Sequence, residues 1–476
     1  MDIEKKIFLY NTLSRKKEEF IAINKGHVGL YLCGPTVYDY ATIGNYRTYI
    51  MGDLINRVFT YNNYKVTYVQ NITDVGHLVG DNDEGEDKLE KGARREGKTA
   101  REVADFFTEN YKGECKLLNI KNPDIWCRAT DHIKEQLDMI VELEKKGFTY
   151  KTSDGIYFDT SKQSNYDELA KLDIEGLKVG ARVEINQEKK SITDFALWKF
   201  SPKDEKRHME WSSPWGIGFP GWHVECSAMS IKYLGEPFDI HAGAIDLIPV
   251  HHTNEIAQNE AVYGNKTVNY WVHGGFLMVD GGKMGKSLGN TYRIEEIITH
   301  GYDPIVFRYL TYTAHYRQPL NFSWESLKQA SNSYSKLIVT LYPFYNAAIK
   351  LYKEGKINDG WNDKFTETIN DDLNMPRALA VVWDMLRVNR DGAKTLATIL
   401  KFDEILGLQL NEKIEDFGRQ MEDIPRTKEL SQLLDQRNEA RRAKDWKKSD
   451  DLRDTLERLG YIVSDTPDGT TLTPKK

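Results

Sequence analysis

Apolar and polar positions in the first part of the chain predict a strand, a helix and a second strand. Residues 27–33, HVGLYLC, favour a strand and end at a Gly-Pro turn. Between residues 43 and 62 the apolar side chains recur at helical spacing, which predicts an amphipathic helix. Residues 65–73, KVTYVQNIT, predict the second strand. This order indicates a parallel α/β sheet, whose ligands bind beyond the carboxyl ends of its strands, where Cys33 and Thr73 stand.

The pattern changes several times along the rest of the chain. Residues 80–102 are strongly charged, and we expect the solvated start of an insertion rather than a binding tail. Residues 103–200 then predict an inserted α/β region, and residues 238–252 return to sheet-like apolar runs. After Tyr316 the spacing becomes helical and predicts a bundle. From Pro425 a small basic segment shows a helix followed by a strand.

Composition limits the classes of protein that this chain can be. With 476 residues it has room for about three domains, and 40% hydrophobic residues suffice for a large core. No stretch approaches the ~20 apolar residues of a membrane helix, and the charged N-terminus does not have the pattern of a secretory signal. Four cysteines do not make a disulfide framework; they fit reduced thiols of a cytoplasmic protein, metal ligands or buried packing, and we expect a cytoplasmic protein. The net charge of −7 argues against indiscriminate nucleic-acid binding but allows a local basic face.

Four side chains form a candidate metal site. His251 and Glu255 are four residues apart on a predicted helix, so they project from the same face. With Cys33 at a strand end and Cys226 in an apolar stretch, they make a donor set that suits zinc. From these residues alone, a packed core with satisfied polar groups explains the spacing better than metal binding does. The adjacent His252 could be mistaken for the ligand.

A glycine-rich loop at residues 279–290, VDGGKMGKSLGN, carries two lysines, Lys283 and Lys286. Glycine lets a loop approach a phosphate closely, and the lysines supply positive charge for its oxygens. The sequence does not follow the Walker pattern. An exposed polar turn is the alternative interpretation of this loop taken by itself.

Together these motifs resemble a known family. The Thr-Ile-Gly-Asn at the predicted helix start and the later Lys-Met-Gly-Lys-Ser are similar to the two ATP signatures of class I aminoacyl-tRNA synthetases. More specifically, the chain resembles bacterial cysteinyl-tRNA synthetases nearly end to end. The similar stretches include YLCGPTVYDYATIGNYRTY, SPWGIGFPGWHVECSAMS, HHTNEIAQNEA, GFLMVDGGKMGKSLGN and RNEARRAKDWKKSDDLRDTLERLGYIVSDTPDGT.

The resemblance implies an α/β architecture in three domains. A Rossmann-like parallel-sheet catalytic domain would cover residues 1–315, with an inserted connective region at about 95–200 and the lysine loop at 283–287. A helical bundle would follow over residues 316–420. A small C-terminal mixed α/β module that binds the anticodon would cover residues 421–476.

The resemblance also implies an activity. A cysteine–tRNA ligase activates L-cysteine with ATP to cysteinyl-adenylate, with Mg²⁺ accompanying the nucleotide, and then charges the 3′ end of tRNA(Cys). One zinc ion per chain would bind the substrate thiolate and so select cysteine over serine without an editing domain. Members of the family are often monomers, which is the expectation here.

The family's site residues fall on definite positions of this sequence. The implied zinc ligands are Cys33, Cys226, His251 and Glu255. The implied catalytic residues are Thr42, Gly44, Asn45, Lys283 and Lys286, of which Gly44, Asn45 and Lys286 contact ATP. The implied cysteine pocket contains Thr73, Trp222 and Asp246.

Residues 437–448, RNEARRAKDWKK, surround a tryptophan with cations, a pattern that can bind unpaired bases by stacking. Acidic residues follow, so a solvated helix with internal ion pairs is an equal alternative from the residues alone. The resemblance favours contact with tRNA. The candidate residues are Arg437, Arg441, Arg442, Lys444 and Trp446.

The chain departs from the family pattern at several positions. Thr42 and Asn45 stand where histidines are usual, Gly285 replaces a serine, and Gly274 replaces a polar residue. One rival hypothesis is a ligase that joins cysteine to an amino-sugar, but such relatives lack the anticodon module. Another is a non-catalytic paralogue, although the retained zinc set and loop lysines argue against it.

Overall fold

The computed structural model describes residues 5–75, 88–171, 187–202, 207–285, 288–388, 391–422, 428–466 and 469–474. The chain divides into two compact units. The first comprises Met1–Pro304, Thr311–Phe322 and Glu367–Pro376, and the second comprises Ile305–Leu310, Ser323–Thr366 and Arg377–Lys476.

The strands are β1 (Phe8–Asn11), β2 (Lys16–Glu19), β3 (His27–Leu32), β4 (Lys65–Ile72), β5 (Ile125–Arg128), β6 (Thr149–Lys151), β7 (Gly155–Phe158), β8 (Phe195–Phe200), β9 (Trp211–Ser213), β10 (Gly216–Pro220), β11 (Phe238–Ala244), β12 (Val268–Gly274), β13 (Leu277–Val279), β14 (Gly282–Lys283), β15 (Leu320–Phe322), β16 (Tyr461–Thr466) and β17 (Gly469–Pro474). The α-helices are α1 (Ile43–Tyr61), α2 (Lys88–Glu96), α3 (Ala100–Leu117), α4 (Ile133–Lys145), α5 (Trp222–Leu234), α6 (Thr253–Tyr263), α7 (Ile294–Thr299), α8 (Pro304–Thr311), α9 (Trp324–Leu341), α10 (Tyr345–Lys353), α11 (Asp359–Asn370), α12 (Met375–Val388), α13 (Gly392–Leu406), α14 (Leu410–Glu422), α15 (Lys428–Arg442) and α16 (Trp446–Arg458). Within the described ranges, no helix is both long and apolar enough to cross a membrane.

A five-stranded parallel sheet forms the centre of the first unit, in the order β12-β11-β3-β4-β5. The predicted strand, helix and strand are confirmed as β3, α1 and β4. The strands are buried because α1 on one side and α5 on the other present apolar side chains to them. Cys33 and Thr73 directly follow β3 and β4, so both stand at the carboxyl edge of the sheet.

The inserted region differs from the predicted range of about 95–200. Residues 125–128 form β5, which pairs with β4 at the edge of the central sheet, so this part of the range belongs to that sheet. The inserted antiparallel sheet, β6-β7-β8-β10-β9, continues as far as Pro220. Its core joins Phe158, Leu197 and Trp198 to side chains of α5 and α6, which explains why the sheet does not stop at residue 200.

The charged stretch at residues 80–102 is only partly described, because residues 76–87 lie outside the described ranges. The expectation of a solvated segment is wrong for one face of α2, where Leu89 and Ala93 are almost fully buried, whereas residues 97–99 and 101–102 are exposed as expected. The following helix, α3, buries Phe107 and Tyr111. Charged residues on one helical face concealed the apolar face opposite.

The predicted border at residue 315 falls within a segment of the first unit, because β15 pairs in parallel with β13. Another segment of that unit carries Asp372, whose buried carboxylate accepts hydrogen bonds from the Tyr10 amide at 2.9 Å and the Tyr316 hydroxyl at 2.6 Å. It also pairs with Arg317 at 2.7 Å.

The second unit is mainly helical, as predicted, and ends in the hairpin β16–β17. This hairpin packs on α15 and α16 through Leu430, Leu456, Val463 and Leu472. The border predicted at residue 420 does not appear in the division into two units and stays a prediction.

Candidate functional site

A cavity of about 390 Å³ opens at the carboxyl edge of the central sheet. Its walls are residues 33–42 after β3, the first turns of α1, the segment between β11 and α6, Trp222, and two aromatic side chains of α3. This is where the sequence predicted a ligand site. The contribution of α3, through Phe107 and Tyr111, was not predicted because its residues read as part of an insertion.

The four predicted metal ligands meet beside this cavity, and two of them, Cys33 and His251, line it. The donor atoms of Cys33, Cys226, His251 and Glu255 all lie within 4.8 Å of one another. None of the four side chains is more than 8% exposed. Cys33 extends from the end of β3, Cys226 from α5 and Glu255 from α6, so three separate elements converge on one point.

A π-helical turn at Ile248–His252 precedes α6 and presents the histidines to this point. The Nε2 atom of His251 lies 3.0 Å from Oε1 of Glu255. The next residue, His252, also lies in this turn and reaches the cluster, where its Nε2 lies 3.2 Å from Sγ of Cys33. Consecutive side chains of a regular α-helix differ in direction by about 100°. A prediction based on one regular helix therefore considered His252 only as a residue that could be mistaken for the ligand.

The electrostatics of the cluster favour a cation. Burial raises the pKa of Cys33 well above its usual range, whereas a hydrogen bond with Cys33 lowers the pKa of Cys226 to about 6. Burial would raise the pKa of Glu255, but His241 and His251 outweigh it and lower that pKa to about 2. Burial would lower the pKa of His251, but Glu255 and Cys226 outweigh it and raise it to about 10. A buried thiolate and carboxylate are thus balanced here by protons that a divalent cation would replace.

More histidines surround the cluster than the sequence predicted. His241 of β11 reaches Oε2 of Glu255 at 2.9 Å. The other ring nitrogen of His252 lies 2.7 Å from His273, which in turn lies 2.8 Å from the Thr12 hydroxyl. Cys33, His241, His252 and Glu255 therefore form a second possible donor set that shares two members with the first. The apolar runs of β11 and β12 concealed these histidines from a pattern-based search.

The start of α1 is a complete capping box. Oδ1 of Asn45 accepts from the backbone N–H of Thr42 at 2.9 Å and from its hydroxyl at 2.8 Å. The backbone N–H of Asn45 donates to the Thr42 hydroxyl oxygen at 3.5 Å. Both residues border the cavity, and Asn45 is exposed. Capping therefore uses the side-chain oxygen of Asn45 and not its NH₂ group.

The lysine loop approaches this helix start. A Cβ atom added at Gly44 would lie only 2.4 Å from the methyl group at the end of the Met284 side chain, so this side chain of the loop packs directly against the glycine. The Ile43 amide also donates to the Tyr292 carbonyl at 2.9 Å. Lys283 is exposed at the end of β14. Lys286 lies outside the described residues.

The predicted cysteine-pocket residues have different positions. Trp222 borders the cavity, with its ring 4.3 Å from that of His251, and Asp246 is an exposed member of the same lining. Thr73 is not among the lining residues; its carbonyl accepts from the Val37 amide and so supports the loop that lines the cavity. Tyr49 of α1 lines the cavity and was not predicted.

One of the predicted tRNA-binding residues is buried inside the C-terminal segment. Arg437 is fully buried, and its guanidinium donates to the Thr470 hydroxyl of β17, so the prediction that it contacts tRNA is wrong for this conformation. Trp446 is 58% exposed, with the Arg441 guanidinium 6.0 Å from its ring centre. Arg442 and Lys444 are also exposed.

Family models match two parts of the chain. The model described as "tRNA synthetases class I (C) catalytic domain" covers residues 19–332. The model described as "Cysteinyl-tRNA ligase anticodon binding domain" covers residues 427–471.

Curated relatives match along almost the whole length. "Cysteine--tRNA ligase 1" of Burkholderia lata is 50% identical over 97% of this chain and 95% of its own. "Cysteine--tRNA ligase" of Treponema denticola is 42% identical over 97% and 98%. Among solved structures, a methionyl-tRNA synthetase of Mycobacterium tuberculosis in complex with methionyl-adenylate covers 82% of this chain and 93% of its own, with 14% identity and a TM-score of 0.59. The last similarity concerns the fold alone. The chain belongs to the cysteine–tRNA ligase family of class I aminoacyl-tRNA synthetases.

Proposed function

We propose that this chain activates L-cysteine with ATP to cysteinyl-adenylate and pyrophosphate, and then transfers cysteine to the 3′ end of tRNA(Cys). The observation that carries the proposal is the cluster of two thiols, an imidazole and a carboxylate, which reaches through Cys33 and His251 into a cavity bordered by the Thr-Ile-Gly-Asn helix start. A helix N-terminus favours the negative charge of a nucleotide phosphate, and the sulfur-rich cluster favours a site for a thiol substrate.

The donor set fits a zinc ion. Zinc takes cysteine sulfur, histidine nitrogen and carboxylate oxygen, and a buried site of this charge needs a cation. Of the two possible sets, Cys33, Cys226, His251 and Glu255 is the one we assign, because Cys33 and His251 border the cavity while His241 and His252 do not. When bound, zinc supplies a Lewis acid that lowers the pKa of a substrate thiol, whereas a serine hydroxyl is a poor ligand at neutral pH.

The residues around the ATP signatures act by position and charge. The carboxylate of cysteine is already a nucleophile, so the activation step needs no general base. Gly44 leaves room for the nucleotide, and the side-chain NH₂ of Asn45 donates to a phosphate oxygen. The Thr42 hydroxyl donates to Oδ1 of Asn45 in this structure, and it turns to a phosphate oxygen when the nucleotide binds. Lys283 and Lys286 neutralise the charge that develops at the α-phosphate, with Mg²⁺ accompanying ATP.

The cysteine pocket uses the side chains that border the cavity. Trp222 packs on His251 and so limits the space beside the substrate sulfur. The Asp246 carboxylate complements the ammonium group of the amino acid. Thr73 contributes indirectly, by holding residues 35–37 in the lining.

The C-terminal segment binds tRNA through Arg441, Arg442, Lys444 and Trp446. An exposed indole flanked by cations stacks on unpaired bases and pairs with phosphates. The zinc donors, the Thr-Ile-Gly-Asn motif and the cavity all come from the first unit of one chain, which supports activity as a monomer.

Cysteine-dependent exchange of pyrophosphate into ATP tests the proposal, together with zinc analysis. Cys226→Ser should lose zinc and exchange together, because one thiolate ligand is gone. Cys127→Ser is the matched control, since this thiol is equally buried but stands outside both donor sets. Exchange that survives in zinc-free Cys226→Ser protein would contradict the mechanism.

Two further results would favour the rival functions. A non-catalytic paralogue would give no exchange with the parent protein. A ligase that acts on an amino-sugar would give exchange without charging tRNA(Cys).

A further inference from the structure

Arg47 occupies an unusual position on α1, two residues after Asn45. Its side chain is only 5% exposed, yet its guanidinium donates to five backbone carbonyls of two other segments. The acceptors are the carbonyls of Gly275, Phe276, His315, Tyr316 and Gln318.

The cation is held by dipoles alone. Among the described residues, no carboxylate forms an ion pair with Arg47. Burial lowers the pKa of Arg47 to about 10, which still leaves it charged at neutral pH. A planar guanidinium can serve several carbonyls in fixed directions, which a lysine ammonium cannot do.

The two segments whose carbonyls bind Arg47 lead directly to the hairpin formed by β13 and β14, which carries Lys283. Residues 275–276 continue into β13, which pairs with β14, where Lys283 stands. Residues 315–318 continue into β15, which pairs with β13 on its other side. A Cβ atom at Gly275 would lie 2.6 Å from the Arg317 carbonyl, so the two segments touch at the point that Arg47 binds.

We propose that Arg47 is a positioning residue that holds the hairpin carrying Lys283 in register with the Thr-Ile-Gly-Asn helix. Without it, carbonyls of both segments lose their buried donor, and the hairpin shifts relative to Asn45. The lysine then no longer meets the α-phosphate that the helix start orients. The inference rests on the proposed function, because it assigns Lys283 to that phosphate.

A double-mutant cycle measures this coupling. Arg47→Lys keeps the charge but not the planar set of donors, and a misplacement of about 1 Å costs on the order of 100-fold in rate. We therefore expect the kcat of pyrophosphate exchange to fall by about 10- to 100-fold, with the KM for cysteine and the zinc content unchanged. In a Lys283→Ala background the same substitution should cost less than about threefold, because the residue it positions is already absent.

Arg57→Lys is the matched control. Arg57 is another arginine of α1 at 5% exposure, but it binds Asp53 and the Asn119 carbonyl instead of the hairpin. Its substitution should lower stability without any coupling to Lys283. If the losses of Arg47→Lys and Lys283→Ala simply multiply, Arg47 does not act through the lysine and the proposal is overturned.

Hydrogen exchange supplies a second measurement that does not depend on catalysis. Compared with the parent protein, folded Arg47→Lys protein, or Arg47→Gln if the lysine variant is recovered poorly, should exchange faster in peptides covering residues 276–283 but not in the β4 peptide. An unchanged rate in residues 276–283, or an equal increase in both peptides, overturns the inference. Full exchange activity of Lys283→Ala by itself would overturn the role of Lys283 under the proposed function, and the hydrogen exchange would still decide whether Arg47 holds the hairpin.

Discussion

Replacing Asn45 by alanine separates helix capping from catalysis, because the two roles predict effects of very different size. Oδ1 of Asn45 accepts two hydrogen bonds from Thr42, at 2.9 and 2.8 Å, on an exposed helix start. Losing such a cap costs about 1 kcal/mol. A protein with a typical stability of about 5–15 kcal/mol remains almost fully folded after that loss, so capping alone predicts less than a twofold change in exchange rate.

Catalysis predicts a much larger change. If the Asn45 amide donates to phosphate charge in the transition state, its removal should lower kcat by about 10²–10³, or roughly 2.7–4 kcal/mol. The assay is cysteine-dependent pyrophosphate exchange at saturating ATP, with zinc content and thermal unfolding measured on the same preparation. Zinc content should not change, since Asn45 is not among the donor residues.

Ser326→Ala is the matched control, because Ser326 forms the same box at the start of α9. Its hydroxyl accepts from the Ser323 amide at 2.9 Å, and it does not border the cavity. Both variants should lose similar stability, and only Asn45→Ala should lose activity. If Asn45→Ala keeps its exchange rate within about twofold of the parent, Asn45 is a cap and the assignment is refuted.

Three other substitutions test separate parts of the molecule. Gly44→Ala should raise the KM for ATP but not for cysteine in exchange kinetics, because the new methyl group would occupy space that the proposed function assigns to the nucleotide; equal changes in both constants would contradict this. Trp446→Ala should weaken tRNA charging, measured as kcat/KM for tRNA, by about 1–3 kcal/mol per stacked base while exchange is unaffected; unchanged charging would remove the indole from the tRNA surface. Arg437→Met should lower the free energy of unfolding by about 1.5–3 kcal/mol in denaturant titration, because a buried charged donor to Thr470 is lost; unaltered stability would contradict its structural role.

The sequence predicted the parts of the fold whose hydrophobic period is strong. The β3-α1-β4 unit is one such part, and its strand ends gave the position of the cavity. The edge strand β5, with four residues, is too short to show a period, so it was included in the insertion. Likewise, the charges of residues 80–102 suggested a solvated segment and concealed the buried face of α2. The helix α3 was included in the insertion, because pattern alone does not tell which wall of a cavity an amphipathic helix will cover.

Within the site, chemistry was easier to predict than geometry. The donor types made Cys33 and Cys226 candidates and the family resemblance selected them, but the π-helical turn that contains both His251 and His252 has no signature in residue spacing. Arg437 illustrates the opposite error. A run of basic residues predicts a charged surface, but only packing of the helix on a hairpin decides which of its members is buried.

The segmented build of the first unit has a consequence for synthesis on the ribosome. Asp372 receives hydrogen bonds from Tyr10 and Tyr316, but it belongs to a segment that begins at Glu367, which is 45 positions (367 − 322) after the preceding segment ends at Phe322. At translation rates of about 5–20 residues per second, this separation amounts to a delay of roughly 2–9 seconds. During that interval the nascent catalytic unit lacks the buried acceptor for Tyr10 and Tyr316. Fragments that end at residue 322 should therefore be less stable than fragments that continue through Pro376.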